Sequence, residues 1–309
     1  LSRSVREQFY AVLLATERLA IAERSLELAE QQLARVRSLF DTGRASELDL
    51  LDARVAALSR RPEILARRQA LAGEESGLRR LIGVSPEVDL QLVGSLGEPI
   101  GELALPEDPG TLERLVLSES PGLRSARLSQ ERLEVSESLA RRDNRYPRLS
   151  ASYSYSPSFS PPFAASEWGA RESWETGSLS FRLTVPLDPL IPGSEGDNAL
   201  RAARYASQRG ALDLSETEAE IRSRARELFD LLALSRERLE ILQESVDLSR
   251  GRYAGTAAAF ESGGVDLLTV ENAQQDLETR ELELLQERYN IITTLAELDA
   301  LAGGALLPE

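Results

Sequence analysis

The chain has 309 residues, 42% hydrophobic and 28% charged, enough for one large folded domain or two ordinary ones. Its 51 acidic and 36 basic residues leave a net charge of −15, and every base is arginine; this balance argues against a nucleic-acid partner, whose phosphates call for basic patches. With no Cys and no His, thiol nucleophiles, histidine bases and Cys/His zinc sites are excluded, and carboxylate chemistry stays open.

Leu1 already stands inside a helical pattern with no signal-like segment, so the sequence reads as a mature or truncated piece. No run of 18 apolar residues exists, so no transmembrane helix is expected. Val5, Val12, Leu19, Leu26, Leu33 and Phe40 recur every seven residues, the spacing of a helix that supercoils against a neighbour. Ala15, Ala22, Ala29 and Val36 form a second stripe, and Leu14, Ile21 and Leu28 a third. Several stripes fit either an ordinary bundle core or a helix with neighbours on both sides in a closed ring. Past Phe40, Gly43 can take positive φ at the helix end, and Ser46 with Asp49 has the spacing of a capping box. The turn joins two helices of about 40 residues, each about 60 Å long. Pro62 is expected to kink the second.

Residues 84–110 are rich in Pro and Gly and read as a surface connection. A helix is predicted from about Thr111 to Arg142, with Pro121 opening a second segment. Next, Leu149, Ala151, Tyr153 and Tyr155 alternate with Ser150, Ser152, Ser154 and Ser156. Leu179, Phe181, Leu183 and Val185 alternate in the same way with Ser178, Ser180, Arg182 and Thr184. Period two marks strands with one apolar and one polar face. Trp168, Trp174, Phe159 and Phe163 lie in or beside this hairpin. Such strands fit a membrane-spanning β-hairpin, and equally the edge of a soluble sheet. A lone hairpin cannot sit in lipid with its edge N–H and C=O groups unpaired, so the membrane reading requires strands from other subunits.

The helical pattern then returns, with Leu232, Leu239, Val246, Tyr253 and Phe260 at seven-residue spacing. FESGGVDLLTVENA (260–273) lies on FDTGRASELDLLDA (40–53) without a gap. Over 1–83 against 221–303, roughly 22 of the 83 pairs are identical, and Gly43 meets Gly263 as Gly83 meets Gly303. Asp266 takes the N-cap place of Ser46. The expected organisation is a helical hairpin at 1–83, a connecting segment with a helix at 84–146, a β-hairpin at 147–187, a second helical hairpin at 188–303 and a tail at 304–309.

The ordered set PRLSASYSY, GSLSFRLTVPL, a long helix, the glycine turn and a last helix ending in L-x-x-L-x-G resembles the TolC-type outer-membrane efflux protein family over nearly the whole chain. The resemblance implies a mainly α fold with a β-hairpin. Long antiparallel coiled-coil helices would form an α-barrel in a homotrimer, and the strands would join a β-barrel in the bacterial outer membrane. It implies a passive channel-tunnel subunit for exported small molecules or proteins, in a tripartite efflux or type I secretion system that extends into the periplasm. The implied partners are a periplasmic adaptor, an inner-membrane pump and outer-membrane lipid, with no cofactor and no enzymatic activity. On this resemblance Thr42, Gly43, Arg44, Ala45, Ser262, Gly263, Gly264 and Val265 are adaptor contacts at the helical tips. Asp49, Asp52, Thr269 and Asn272 fall at the tunnel constriction, where the second repeat departs from an all-acidic ring. Tyr153, Tyr155, Leu179, Phe181 and Leu183 face the membrane. The duplication further implies another β-hairpin ahead of Leu1, in a stretch on the order of 110 residues. Read without the resemblance, the tip glycines serve their turns and the acids favour a helix N-terminus. The competing function is a soluble periplasmic coiled-coil adaptor or scaffold; an enzyme using acidic residues has no motif to support it.

Overall fold

The long helices end where the sequence places glycine past an apolar heptad. A computed structural model describes residues 3–85, 87, 88, 91–96, 108–159, 173–187 and 191–306. Its elements are α1 (Arg3–Asp41), α2 (Glu47–Ile82), α3 (Pro109–Glu119), α4 (Pro121–Arg145), β1 (Arg148–Phe159), β2 (Ser173–Thr184), α5 (Glu195–Glu261) and α6 (Leu267–Leu301). Two compact units result: Leu1–Pro121 with Glu220–Glu309, and Gly122–Ala219.

In the first unit, α1 and α2 form one antiparallel pair, and α6 returns beside the end of α5 to form the second. Gly43, Gly83, Gly263 and Gly303 have φ of 74°, 72°, 79° and 67°, so both hairpins of the repeat turn and end alike. The buried stripe of α1 is the small one: Ala22, Ser25, Ala29, Gln32 and Val36, with Leu14 and Ile21. Small residues let the helix axes approach, and the bulkier Leu19, Leu26, Leu33 row is left only half-buried. Leu13, Leu14, Ile21, Leu285 and Ile292 form one core cluster between the hairpins, and Leu96 inserts into it fully buried. The expected surface connection therefore contributes a core anchor: its leucines follow no helical period, and only packing reveals which of them goes in. Residues 86, 89, 90 and 97–107 of that connection lie outside the described residues.

α2 is continuous through Pro62. Proline has no N–H to give the Leu58 carbonyl, the one ladder bond α2 forgoes there. Pro121 opens α4 after the Ser120 break, as its missing N–H and fixed φ favour.

The second unit holds most of α4, the two strands and the first part of α5. The strands pair antiparallel from Arg148 opposite Thr184 to Phe159 opposite Ser173. This register sets Leu149 against Leu183, Ala151 against Phe181 and Tyr153 against Leu179 on one face. Trp168 and Phe163, and the side chains of Phe159 and Trp174, lie outside the described residues.

Candidate functional site

Each tip is built by the same backbone device. At the first, the Gly43 N–H donates to the Phe40 carbonyl at 2.9 Å and the Arg44 N–H to the Leu39 carbonyl at 2.8 Å. At the second, Gly263 donates to Phe260 at 3.0 Å and Gly264 to Ala259 at 2.8 Å. These are paired C-terminal caps around a left-handed glycine, and they satisfy the last carbonyls of α1 and α5. Thr42, Gly43, Arg44, Ser262, Gly263 and Gly264 are exposed, and Ala45 and Val265 are half-buried.

The next helices start with side-chain caps, reciprocal at Ser46 and one-way at Asp266. The Ser46 hydroxyl accepts from the Asp49 N–H at 3.1 Å, and the Asp49 carboxylate accepts from the Ser46 N–H at 2.8 Å. In the second repeat the acid is the cap: Asp266 accepts from the Thr269 N–H at 2.9 Å and from its hydroxyl at 2.5 Å. Asp49 and Thr269, two of the four residues that the resemblance assigned to a constriction, are thus engaged in closing their own helices. The Ser46 hydroxyl, followed by its N–H, holds the Asp49 carboxyl below its usual range.

The two tips lie side by side. Val36, Ala53 and Leu267 share one buried cluster, packed by Leu33, Ala45, Leu50 and Phe260 from both hairpins. Asp49, Asp52, Val55 and Ala56 of α2 face Asp266, Leu267, Leu268 and Glu271 across a cleft of about 460 Å³. Asp52 is exposed here, whereas Asn272 lies outside the cleft lining. Burial, then the charge of Asp52, pushes the Glu271 carboxyl up, with Arg60 opposing; among the described residues Glu271 Oε1 has no hydrogen-bond partner.

Above the cleft the hairpins are tied by polar bonds that sequence reasoning missed. Glu278 accepts from Arg60 at 2.5 Å and from the Ser25 hydroxyl at 2.9 Å, and Gln274 donates to the Ser25 carbonyl at 2.9 Å. Arg35 reaches Glu261 at 3.0 Å. The first node is partly buried, so removing one partner leaves a charge with no counterpart. These residues are more than 200 positions apart, and only the register of packed helices brings them together.

In the other unit the apolar face of the hairpin, with Leu149, Tyr153, Tyr155, Leu179, Phe181 and Leu183, is open to solvent in the single chain. On its polar face the Ser152 and Ser180 hydroxyls are 2.8 Å apart, and those of Ser154 and Ser178 are 2.7 Å apart.

The family model for outer membrane efflux proteins matches residues 1–84 and 112–304. The chain belongs to this family. It is 28% identical over 304 residues to the alkaline protease secretion protein AprF of Pseudomonas aeruginosa, covering 97% of this chain and 60% of AprF. It is 24% identical over 313 residues to the probable outer membrane lipoprotein SilC of Salmonella typhimurium, covering 97% of this chain and 63% of SilC. The crystal structures of CusC share the fold, with a TM-score of 0.79 at 20% identity over 97% of this chain and 67% of CusC. The chain thus spans under two thirds of the curated relatives' length. As an outer membrane efflux protein it belongs to the outer membrane and extends into the periplasm. No described helix is long and apolar enough to cross a membrane.

Proposed function

We propose that this outer membrane efflux protein is one subunit of a homotrimeric channel-tunnel that conducts exported molecules passively, without catalysis of its own. The hairpin carries this reading. Two strands with a continuous apolar row and a self-paired hydroxyl row cannot bury the first or complete their outer edges alone. Lipid on one side, water on the other and further strands at both edges satisfy every group.

The helices support it independently. Leu48, Leu51, Val55, Leu58 and Leu65 alternate three- and four-residue steps along an exposed face of α2, interrupted only by Pro62. On α5, Leu231, Leu234, Ile241 and Leu248 form a second exposed row, apart from the buried Leu228, Leu232 and Val246. On α1 and α6 the exposed large apolar residues among those described are Phe40 and Leu268, both near the tips, so the long open rows of this unit lie on the two flanking helices. Packing α5 of one copy on α2 of the next closes both. These leucines are partly covered already, so burying the remainder contributes on the order of 1 kcal/mol each.

In this assembly Thr42–Ala45 and Ser262–Val265 present two similar tips per subunit to a periplasmic adaptor, which couples the tunnel to an inner-membrane pump. Asp52 and Glu271 are the acids nearest the tunnel mouth. An adaptor that binds separated tips more tightly shifts the population toward an open end, working against the Arg60–Glu278 and Arg35–Glu261 ties. The relative named for alkaline protease secretion makes protein cargo one candidate, beside small molecules. The mass of the full-length protein purified in detergent tests the assembly: a species of about three subunits is expected, and a detergent-free monomer would contradict it.

A further inference from the structure

We propose that Arg182 biases the ion preference of the barrel lumen, one guanidinium per subunit forming a cationic collar within the hydroxyl-rich strip of wall that this hairpin supplies. The inference rests on the channel reading above. The register sets Ser150 opposite Arg182, Ser152 opposite Ser180 and Ser154 opposite Ser178, so the polar face is a ladder of serines with one cation inside it. The two serine pairs bond to each other, and the Ser150 hydroxyl donates to the Arg182 carbonyl at 3.4 Å. Neutral hydroxyls wet a pore without choosing between ions; a fixed charge on the wall does choose, because it raises the local concentration of counter-ions.

Arg148 is the other cation on this face, but its guanidinium lies 2.5 Å from the Asp143 carboxylate, and the pair is neutral. No ion pair engages Arg182 among the described residues, and it is exposed. It sits two residues from the end of β2, at the end of the hairpin that continues into the helices. A trimer repeats it three times at one height. The opposite face at this level carries Leu149 and Leu183, so the charge points away from lipid.

The test is the reversal potential of single pores of the full-length protein in a planar bilayer under a KCl gradient. Arg182→Gln is expected to raise the K⁺/Cl⁻ permeability ratio about threefold near 0.1 M salt, where screening reaches about 10 Å, and much less near 1 M, where it reaches about 3 Å. Arg182→Glu moves the ratio further in the same direction, and Arg182→Lys keeps the wild-type value. Ser180→Arg adds a second cation to the same face and moves the ratio toward Cl⁻, so the collar is tested even if neutral variants fail to insert. Wild-type ratios in all pore-forming variants overturn the collar and leave the channel standing. Failure of the wild-type protein to form any pore overturns the channel reading, and the collar with it.

Discussion

At the scale of single residues, Ser46 and Asp266 each cap the N–H three residues on, and only Asp49 returns a bond to the backbone of its cap. That much was legible in the sequence, because caps depend on residues three apart. Glu271 was not, since its burial comes from α2 packing against α6 and its like-charged neighbour Asp52 is 219 positions away in the chain. The two acids respond to pH with opposite signs. Asp49, held below its usual range, contributes stability that is present at neutral pH and lost as pH falls through its lowered pKa. Glu271, pushed above its ordinary 4.5, binds its proton more readily in the folded state, so the tip loses stability as pH rises from that value through the raised one. Glu271→Gln should remove this loss: its thermal midpoint should exceed that of the wild type at neutral pH and match it in acid. Equal midpoints at both pH values would show that the buried carboxyl carries no such cost.

At the scale of elements, alternation in 149–155 and 178–184 predicted both strands and their faces, and the observed register matches apolar with apolar and serine with serine. Heptads predicted the helices but not which stripe is most deeply buried. The small stripe of α1 lies against its neighbours because close axial approach outweighs side-chain size, a balance that only the partner helices set. Leu96, in a segment without period, was likewise illegible as a core residue. If the apolar row of the hairpin meets lipid, Phe181→Arg costs about 2–4 kcal/mol near the bilayer midplane. Fractionation should then show the variant depleted from outer membranes, while Ser180→Arg, one residue away on the polar face, remains there. Equal depletion of both, or of neither, would remove the two-faced assignment.

At the scale of the whole molecule, one helical hairpin is written twice, and the repeat turns and ends on glycines in the same backbone state. The gap-free match of the two halves and the ordered motifs carried the family in the sequence. The ties between the halves at Ser25, Arg60, Gln274 and Glu278 became visible only in three dimensions. The duplication also leaves two unmatched apolar rows, on α2 and α5, and the account stands on these rows closing between copies. Leu58 and Leu248, 49% and 68% exposed, each lie about 12–14 residues from their tips, hence at similar height. The sequence has no cysteine, so a Leu58→Cys, Leu248→Cys chain carries one defined pair of thiols in this region. Oxidation of that variant in outer membranes, read by non-reducing electrophoresis, is the most direct test: the account predicts covalent trimers, each subunit linked through α2 to one neighbour and through α5 to the other. A monomer closed by its own disulfide, or no cross-link in protein that has reached the membrane, would contradict it.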